Sequence, residues 1–254
     1  MALSWKIAQE NEKKFWKDIY VNEKLDDVYK KSKGVSWKFF TLEILKRHNL
    51  EKKFLNNKVI LDLGSGPAGI AKGLQLLLEE NEIQNCNIIA VDPLMNFYKE
   101  EIGLLKETGS LKLLTNKGEN IDVSDNSVDI IFSTNVLDHC ENPDEVIREC
   151  FRILKPGGYF YPSLHITYNY LKFLSKYIKY FDKNHPHHFT ENQMIKKFEA
   201  KFPSCEVNSK FTIKQDQEKF NLISLLKSKD KFRALKRYIS NFILYTCYFS
   251  IKKK

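Results

Sequence analysis

The residues best suited to chemistry fall after strand-like runs. Gly64-Ser65-Gly66-Pro67-Ala68-Gly69 is a GxGxxG pattern between an apolar run at 58–63 and a helical stretch at 69–80. Such glycines let backbone approach a ligand, and the next helix offers free N–H groups. The pattern alone does not separate a dinucleotide from another nucleoside ligand. Asp62 stands just before the glycines, where it disfavours a pyrophosphate and favours a positive group. Asp92 closes a second apolar run at 87–91, where a carboxylate can grip ribose hydroxyls. Asn135, Asp138 and His139 follow a run at 127–134, and His165 follows one at 159–164. An imidazole there can take a proton from an acceptor. The spacing predicts that both histidines overlook one pocket, with His139 as general base and Asp138 orienting it or gripping substrate. His185-Pro186-His187-His188 precedes a helical segment and reads equally as a lid or a surface loop.

The elements that must carry these groups alternate. Strands are expected at 58–63, 87–91, 111–115, 127–134 and 159–164, and helices at 69–80, 94–107 and 142–154. Asn142-Pro143-Asp144-Glu145 supplies an N-cap, a first-position proline and first-turn acids. Alternation at this spacing predicts an α/β fold, Rossmann-like and doubly wound. The expected sheet is seven-stranded and mostly parallel. Amphipathic helices at 4–20 and 36–48 precede it, and 168–181 and 191–202 read as helical. A hairpin of 206–213 and 219–226 would close the sheet. The expected division is an N-terminal helical cap at 1–57, a core domain at 58–228 with a helical insertion near 168–203, and a basic amphipathic tail at 229–254. That tail places Phe232, Leu235, Ile239, Phe242, Ile243, Thr246 and Phe249 on one helical face, suited to packing on the domain or a second subunit, or to a membrane surface.

Composition narrows the class. A chain of 254 residues with 43% hydrophobic content can bury a core. Cys86, Cys140, Cys150, Cys205 and Cys247 form no CxxC pair, which suits reduced thiols in a cytoplasmic protein. No leader or membrane-spanning run is read. The net charge of +9 resides in the last third, where residues 166–254 hold 19 Lys+Arg against 7 Asp+Glu. That asymmetry suits an anionic substrate, an acidic membrane surface or a solvated face.

The wider pattern resembles the class I S-adenosylmethionine (SAM)-dependent methyltransferases, of the small-molecule, methyltransferase-11-like type. LDLGSG at 61–66, Gly118-Glu119-Asn120-Ile121, SVDIIFSTNVLDH at 127–139 and ILKPGGYF at 153–160 carry the resemblance, which covers about 59–164. It implies that Gly64, Ser65 and Gly66 wrap the methionine end of SAM, with Asp62 beside them. Asp92 would hold the ribose, Pro93 and Leu94 would lie beside the adenine, and Gly118 and Glu119 would flank its edge. Asn135 would lie under the methionine. Lys117 stands where such enzymes usually carry an aspartate toward the adenine.

The resemblance implies methyl transfer, with O-methylation of a small anionic metabolite as the expectation. A sugar, nucleotide-linked or phosphoryl intermediate is such a metabolite, and bacterial capsule and surface-glycan enzymes are similar in size and in their tryptophan-bearing N-terminal helix. A membrane-peripheral quinone or lipid methyltransferase and a SAM-binding protein without catalysis are the alternatives. Asn135-x-x-Asp138-His139 is also similar to the E-x-x-E-H element of metal-assisted methyltransferases. Asparagine in place of the first acid weakens the site for a hard cation, and no metal is expected. No nucleic-acid-binding module is recognised.

Overall fold

The computed structural model describes residues 2–20, 35–67, 69–103, 109–174, 186–202, 205–212 and 244–254. In chain order these form α1 (Ala2–Tyr20), α2 (Val35–Arg47), β1 (Val59–Leu63), α3 (Gly69–Glu79), β2 (Asn87–Val91) and α4 (Met95–Glu100). There follow β3 (Lys112–Leu114), β4 (Val128–Thr134), α5 (Pro143–Ile153), β5 (Leu154–Thr167), α6 (Glu191–Lys201), β6 (Glu206–Thr212) and β7 (Leu244–Lys252).

One seven-stranded sheet runs in the order β3-β2-β1-β4-β5-β7-β6. It is parallel from β3 to β5. β7 is antiparallel to both β5 and β6, so the sheet is mixed. From β1 the chain winds outward to β2 and β3, then returns to place β4 on the other side of β1. A crevice opens at the carboxyl ends of the strands at such a reversal. The β1 and β4 residues that precede this edge are paired Leu63 to Ser133.

Both faces of the sheet are covered, which explains the near-continuous apolar runs. On one face Ile60, Ile88, Ile130 and Phe132 pack with Leu74 and Leu77 of α3 and Ile44 of α2. On the other, Leu61, Ile131, Phe160 and Phe249 pack with Ile147 of α5 and Phe198 of α6. Helices α2 and α3 approach closely at Gly73, where a Cβ would lie 2.1 Å from Thr41 Oγ1 and 2.4 Å from the Trp37 carbonyl oxygen. α5 starts as its sequence requires, with the Asn142 side chain accepting from Asp144 N and Pro143 in the first turn. α6 has a reciprocal cap between Thr190 and Gln193.

One expectation lies outside the described residues, and two need correction. The strand that follows β6 in the sheet is 244–252; the segment 219–226, expected as its hairpin partner, lies outside the described residues. The basic tail at 229–254 is therefore not helical throughout. Residues 244–252 alternate half-buried and buried, with Tyr245, Cys247, Phe249 and Ile251 inward. Period two seats one face of a strand on the core, whereas a helix would expose half of these groups. Residues 229–243 lie outside the described set. The helix expected at 94–107 is described for Met95–Glu100 only, and the insertion opens with a 3₁₀ turn at Asn169–Leu174.

Candidate active site

A cavity of about 800 Å³ opens at the carboxyl ends of β1, β2 and β4. That volume is within the range of small-molecule sites, roughly 300–1,000 Å³. Its floor is built from strand ends. β1 delivers Asp62, whose carboxylate accepts from Ala71 N at 2.8 Å and so caps the start of α3. The N–H groups that a pyrophosphate would use are thereby turned toward a protein carboxylate. β2 delivers Asp92, which accepts from Gly66 N at 2.9 Å and Leu94 N at 2.8 Å. Both carboxyls are buried, and burial pushes each up to about 7 against the pull of these backbone donors. Glu12 and Asp62 add like-charge repulsion at Asp92.

Between them the glycine loop turns. Gly64 has φ +65°, and its N–H and that of Ser65 both donate to the Val91 carbonyl. A Cβ on Gly64 would come within 2.3 Å of Val136 Cγ2, so the post-β4 loop lies directly against it. That loop starts at Asn135, held in the left-handed region at φ 54° by Asn135 N donating to the Ser163 carbonyl at 2.8 Å. Left-handed backbone suits asparagine better than most residues.

The structure brings Asp62, Gly64, Ser65, Gly66, Asp92, Pro93 and Leu94 to one cavity wall. Gly118, Glu119, Asn135 and His139 join them there. Glu119 Oε1 also accepts from Glu141 N and Asn142 N at 2.9 and 2.8 Å, which ties the β3–β4 link to the entrance of α5. Two expected catalytic residues stand apart from the lining. Asp138 is buried at 2% exposure behind the loop, and His165 lies along β5 with Nδ1 3.1 Å from Thr246 Oγ1. The two histidines do not share the cavity, because β5 continues past the crevice and pairs His165 with β7. Among the described residues no three His, Cys, Asp or Glu side chains converge as a metal site. His187 lies against the post-β4 loop; His185 is outside the described residues.

The roof comes from α1 and α2. Gln9, Glu12, Phe39, Phe40 and Glu43 of these helices line the cavity, and sequence reasoning missed them. A Cβ on Gly66 would sit 3.5 Å from Trp16, and one on Gly69 would sit 3.4 Å from Trp37. α1 is anchored by Lys17 Nζ to Glu101 Oε2 at 2.7 Å and by Lys117 Nζ 4.1 Å over the Trp5 ring. The adjacent pair Phe39-Phe40 carried a signal: two neighbouring phenyls on a helix cannot both face one core.

SAM is the cofactor that the strand-end motifs imply, and the donor set fits it. Two buried carboxyls face a cavity whose one lysine or arginine among the described lining residues is Lys117, so a sulfonium, an ammonium and ribose hydroxyls find complementary charge and acceptors. Gln9 Oε1 and Asn135 Oδ1, both in the wall, are buried and lack a hydrogen-bond partner among the described residues. Polar ligand atoms would satisfy them.

Comparison with known proteins gives a consistent picture. A family model described as a methyltransferase domain matches residues 61–161. A thiol S-methyltransferase of Homo sapiens is 36% identical over 94 residues, 34% of this chain and 38% of that protein. A malonyl-[acyl-carrier protein] O-methyltransferase of a Marinomonas species is 31% identical over 101 residues, 40% of this chain and 36% of that protein. The matches thus span less than two-fifths of those relatives' length. The fold matches phosphoethanolamine N-methyltransferase 2 of Haemonchus contortus, solved with phosphomonomethylethanolamine and S-adenosylhomocysteine. That match has a TM-score of 0.54 at 18% identity, over 84% of this chain and 52% of that one.

Proposed function

We propose that this chain, whose residues 61–161 match a family model described as a methyltransferase domain, is a SAM-dependent enzyme that transfers a methyl group to a hydroxyl or thiol acceptor whose proton passes to His139. The observation that carries the reading is the meeting of Asp62, Asp92 and the glycine loop with one imidazole, His139, in a single cavity. Two relatives, a thiol S-methyltransferase and an O-methyltransferase, agree with acceptors that shed a proton.

Bound SAM supplies an electrophilic methyl on a sulfonium and departs as the neutral thioether. The chain does the remainder. Asp92 would accept from the ribose hydroxyls, and the Asp62 carboxylate and Asn135 Oδ1 would offer negative charge and an acceptor to the methionine end. The roof of α1 and α2 limits water. His139 takes the acceptor's proton as the new carbon–oxygen or carbon–sulfur bond forms.

The anionic acceptor suggested by the lysine-rich last third receives no support from the wall, to which no described residue beyond Cys140 contributes. The membrane-peripheral alternative loses residues 244–252 as an interfacial helix, since they form β7.

Calorimetric titration with S-adenosylhomocysteine and methyl-transfer assays on thiols and phenols test the proposal. Wild type should bind the cofactor product, and Asp92→Asn should weaken it about ten-fold or more. His139→Ala should retain binding and lose about 10²–10⁴-fold in kcat, the usual share of a general base. Retained kcat in His139→Ala would reject the assigned base.

A further inference from the structure

We infer that the methyl acceptor is a molecule with an apolar, aromatic-sized body and no negative charge, seated on the phenyl rings that α1 and α2 present to the outer part of the cavity. The inference rests on the SAM reading and names the acceptor class for the same site.

Three observations carry it. First, the roof is aromatic and incompletely covered. Phe15 is 49% exposed and Phe39 65% exposed, yet both line the cavity. Phenyl rings held open to solvent along a concave wall suit a ligand that covers them. Second, this surface is continuous with the cofactor floor. Trp37 and Phe40 reach Gly69 at the start of α3, with 3.4 Å and 3.8 Å to a Cβ placed there. A body resting on these rings is therefore adjacent to the glycine loop and lies on the same wall as His139. Third, the charge of the wall disfavours an anion. Glu12 and Glu43 stand in the roof. Among the described lining residues the only lysine or arginine is Lys117, which is 3.0 Å from Glu141 Oε2 and lies over the Trp5 ring. An anionic acceptor would lose hydration and meet carboxylates rather than a bidentate cation.

The test uses the full chain and two probes of one shape, 2-naphthol and 2-naphthoate, titrated by calorimetry into protein saturated with S-adenosylhomocysteine. The expected result is binding of 2-naphthol at least ten-fold tighter than 2-naphthoate. Phe15→Ala combined with Phe39→Ala should weaken 2-naphthol about ten-fold while the S-adenosylhomocysteine affinity stays within two-fold. Both side chains are largely exposed, so the double variant should fold, and its thermal midpoint verifies this. Equal or tighter binding of 2-naphthoate overturns the inference. So does failure of 2-naphthol to bind, or a double variant that binds it unchanged. The cofactor titration is read separately. If S-adenosylhomocysteine does not bind, the SAM reading falls, and 2-naphthol titrated alone still reports on the aromatic wall.

Discussion

His187 holds the two carbonyls that flank His139: its main-chain N–H donates to the Asp138 oxygen at 3.3 Å, and its ring Nε2 lies 3.0 Å from the Cys140 oxygen. The ring stacks on Phe189, and burial pushes its ionisation below the ordinary 6.5. A segment far along the chain thus fixes the loop that carries the proposed base. His187→Ala should lower kcat about ten-fold with the affinity for S-adenosylhomocysteine unchanged. His187→Gln, which keeps a donor, should recover part of the loss. A kcat that does not change removes the positioning role. The neutral ring is favoured in the folded state, so this contribution is present above pH 6.5 and declines as pH falls below it.

In the proposed role of Asp62 and Asp92, cofactor binding should depend on pH. Both carboxyls are pushed up to about 7 by burial, and positive charge on a bound ligand favours their ionised forms. The dissociation constant for SAM should therefore tighten from pH 6 to pH 8 and level off above. Without ligand the sign for stability is opposite. A folded value near 7 against 3.8 when unfolded means that the folded chain binds more protons between about pH 4 and 7, so stability falls as pH rises through that window. Thermal denaturation should then show a larger stabilisation by saturating SAM at pH 8 than at pH 6. The reverse order would contradict ionised aspartates as the binding form.

Gly64→Ala meets two obstacles, a left-handed backbone and contact with Val136 Cγ2 at 2.3 Å. Left-handed strain costs about 1–3 kcal/mol, and the clash displaces the loop bearing His139. Cofactor affinity and thermal midpoint should both fall. The double variant Gly64→Ala with Val136→Ala relieves the clash and leaves the backbone strain, so it should regain affinity more than stability.

Much of the cavity floor was legible because its residues are short-range neighbours of strand ends. Asp62, Gly64, Gly66 and Asp92 occupy positions fixed within a few residues of β1 and β2, and one local pattern finds them. The roof was less legible. Glu12, Phe39 and Glu43 reach the cavity through the packing of α1 and α2 on the sheet, which no local spacing encodes. His165, expected just after a strand ending at 164, lies within β5 beside Thr246 of a segment expected as helix. Tyr245 and Phe249 fit both a 3.6-residue and a two-residue period; Cys247 and Ile251 fit only the second. Aromatic and β-branched residues there favour a strand.

Lys253 anchors the far edge of the fold. Its ammonium donates to Asn126 Oδ1, the Phe151 carbonyl and the Leu154 carbonyl at 2.7–2.8 Å, closing the C-terminal end of α5. Lys253→Met should destabilise by about 1–3 kcal/mol, since buried carbonyls lose a charged donor. Chemical denaturation would measure that loss. S-adenosylhomocysteine affinity should not move, because Lys253 sits by the start of β5, opposite the carboxyl-end cavity.

The placement of β7 between β5 and β6 also bears on assembly during synthesis. β6 is made earlier, but among the described residues its sheet neighbour is β7. Until residues 244–252 leave the ribosome, β5 and β6 both lack the β7 ladder. A nascent chain halted within 213–243 would present two unpaired strands, a template for intermolecular pairing. Chaperone dependence and aggregation of such truncations should therefore exceed those of the full chain, even though the segments that build the cavity are already present.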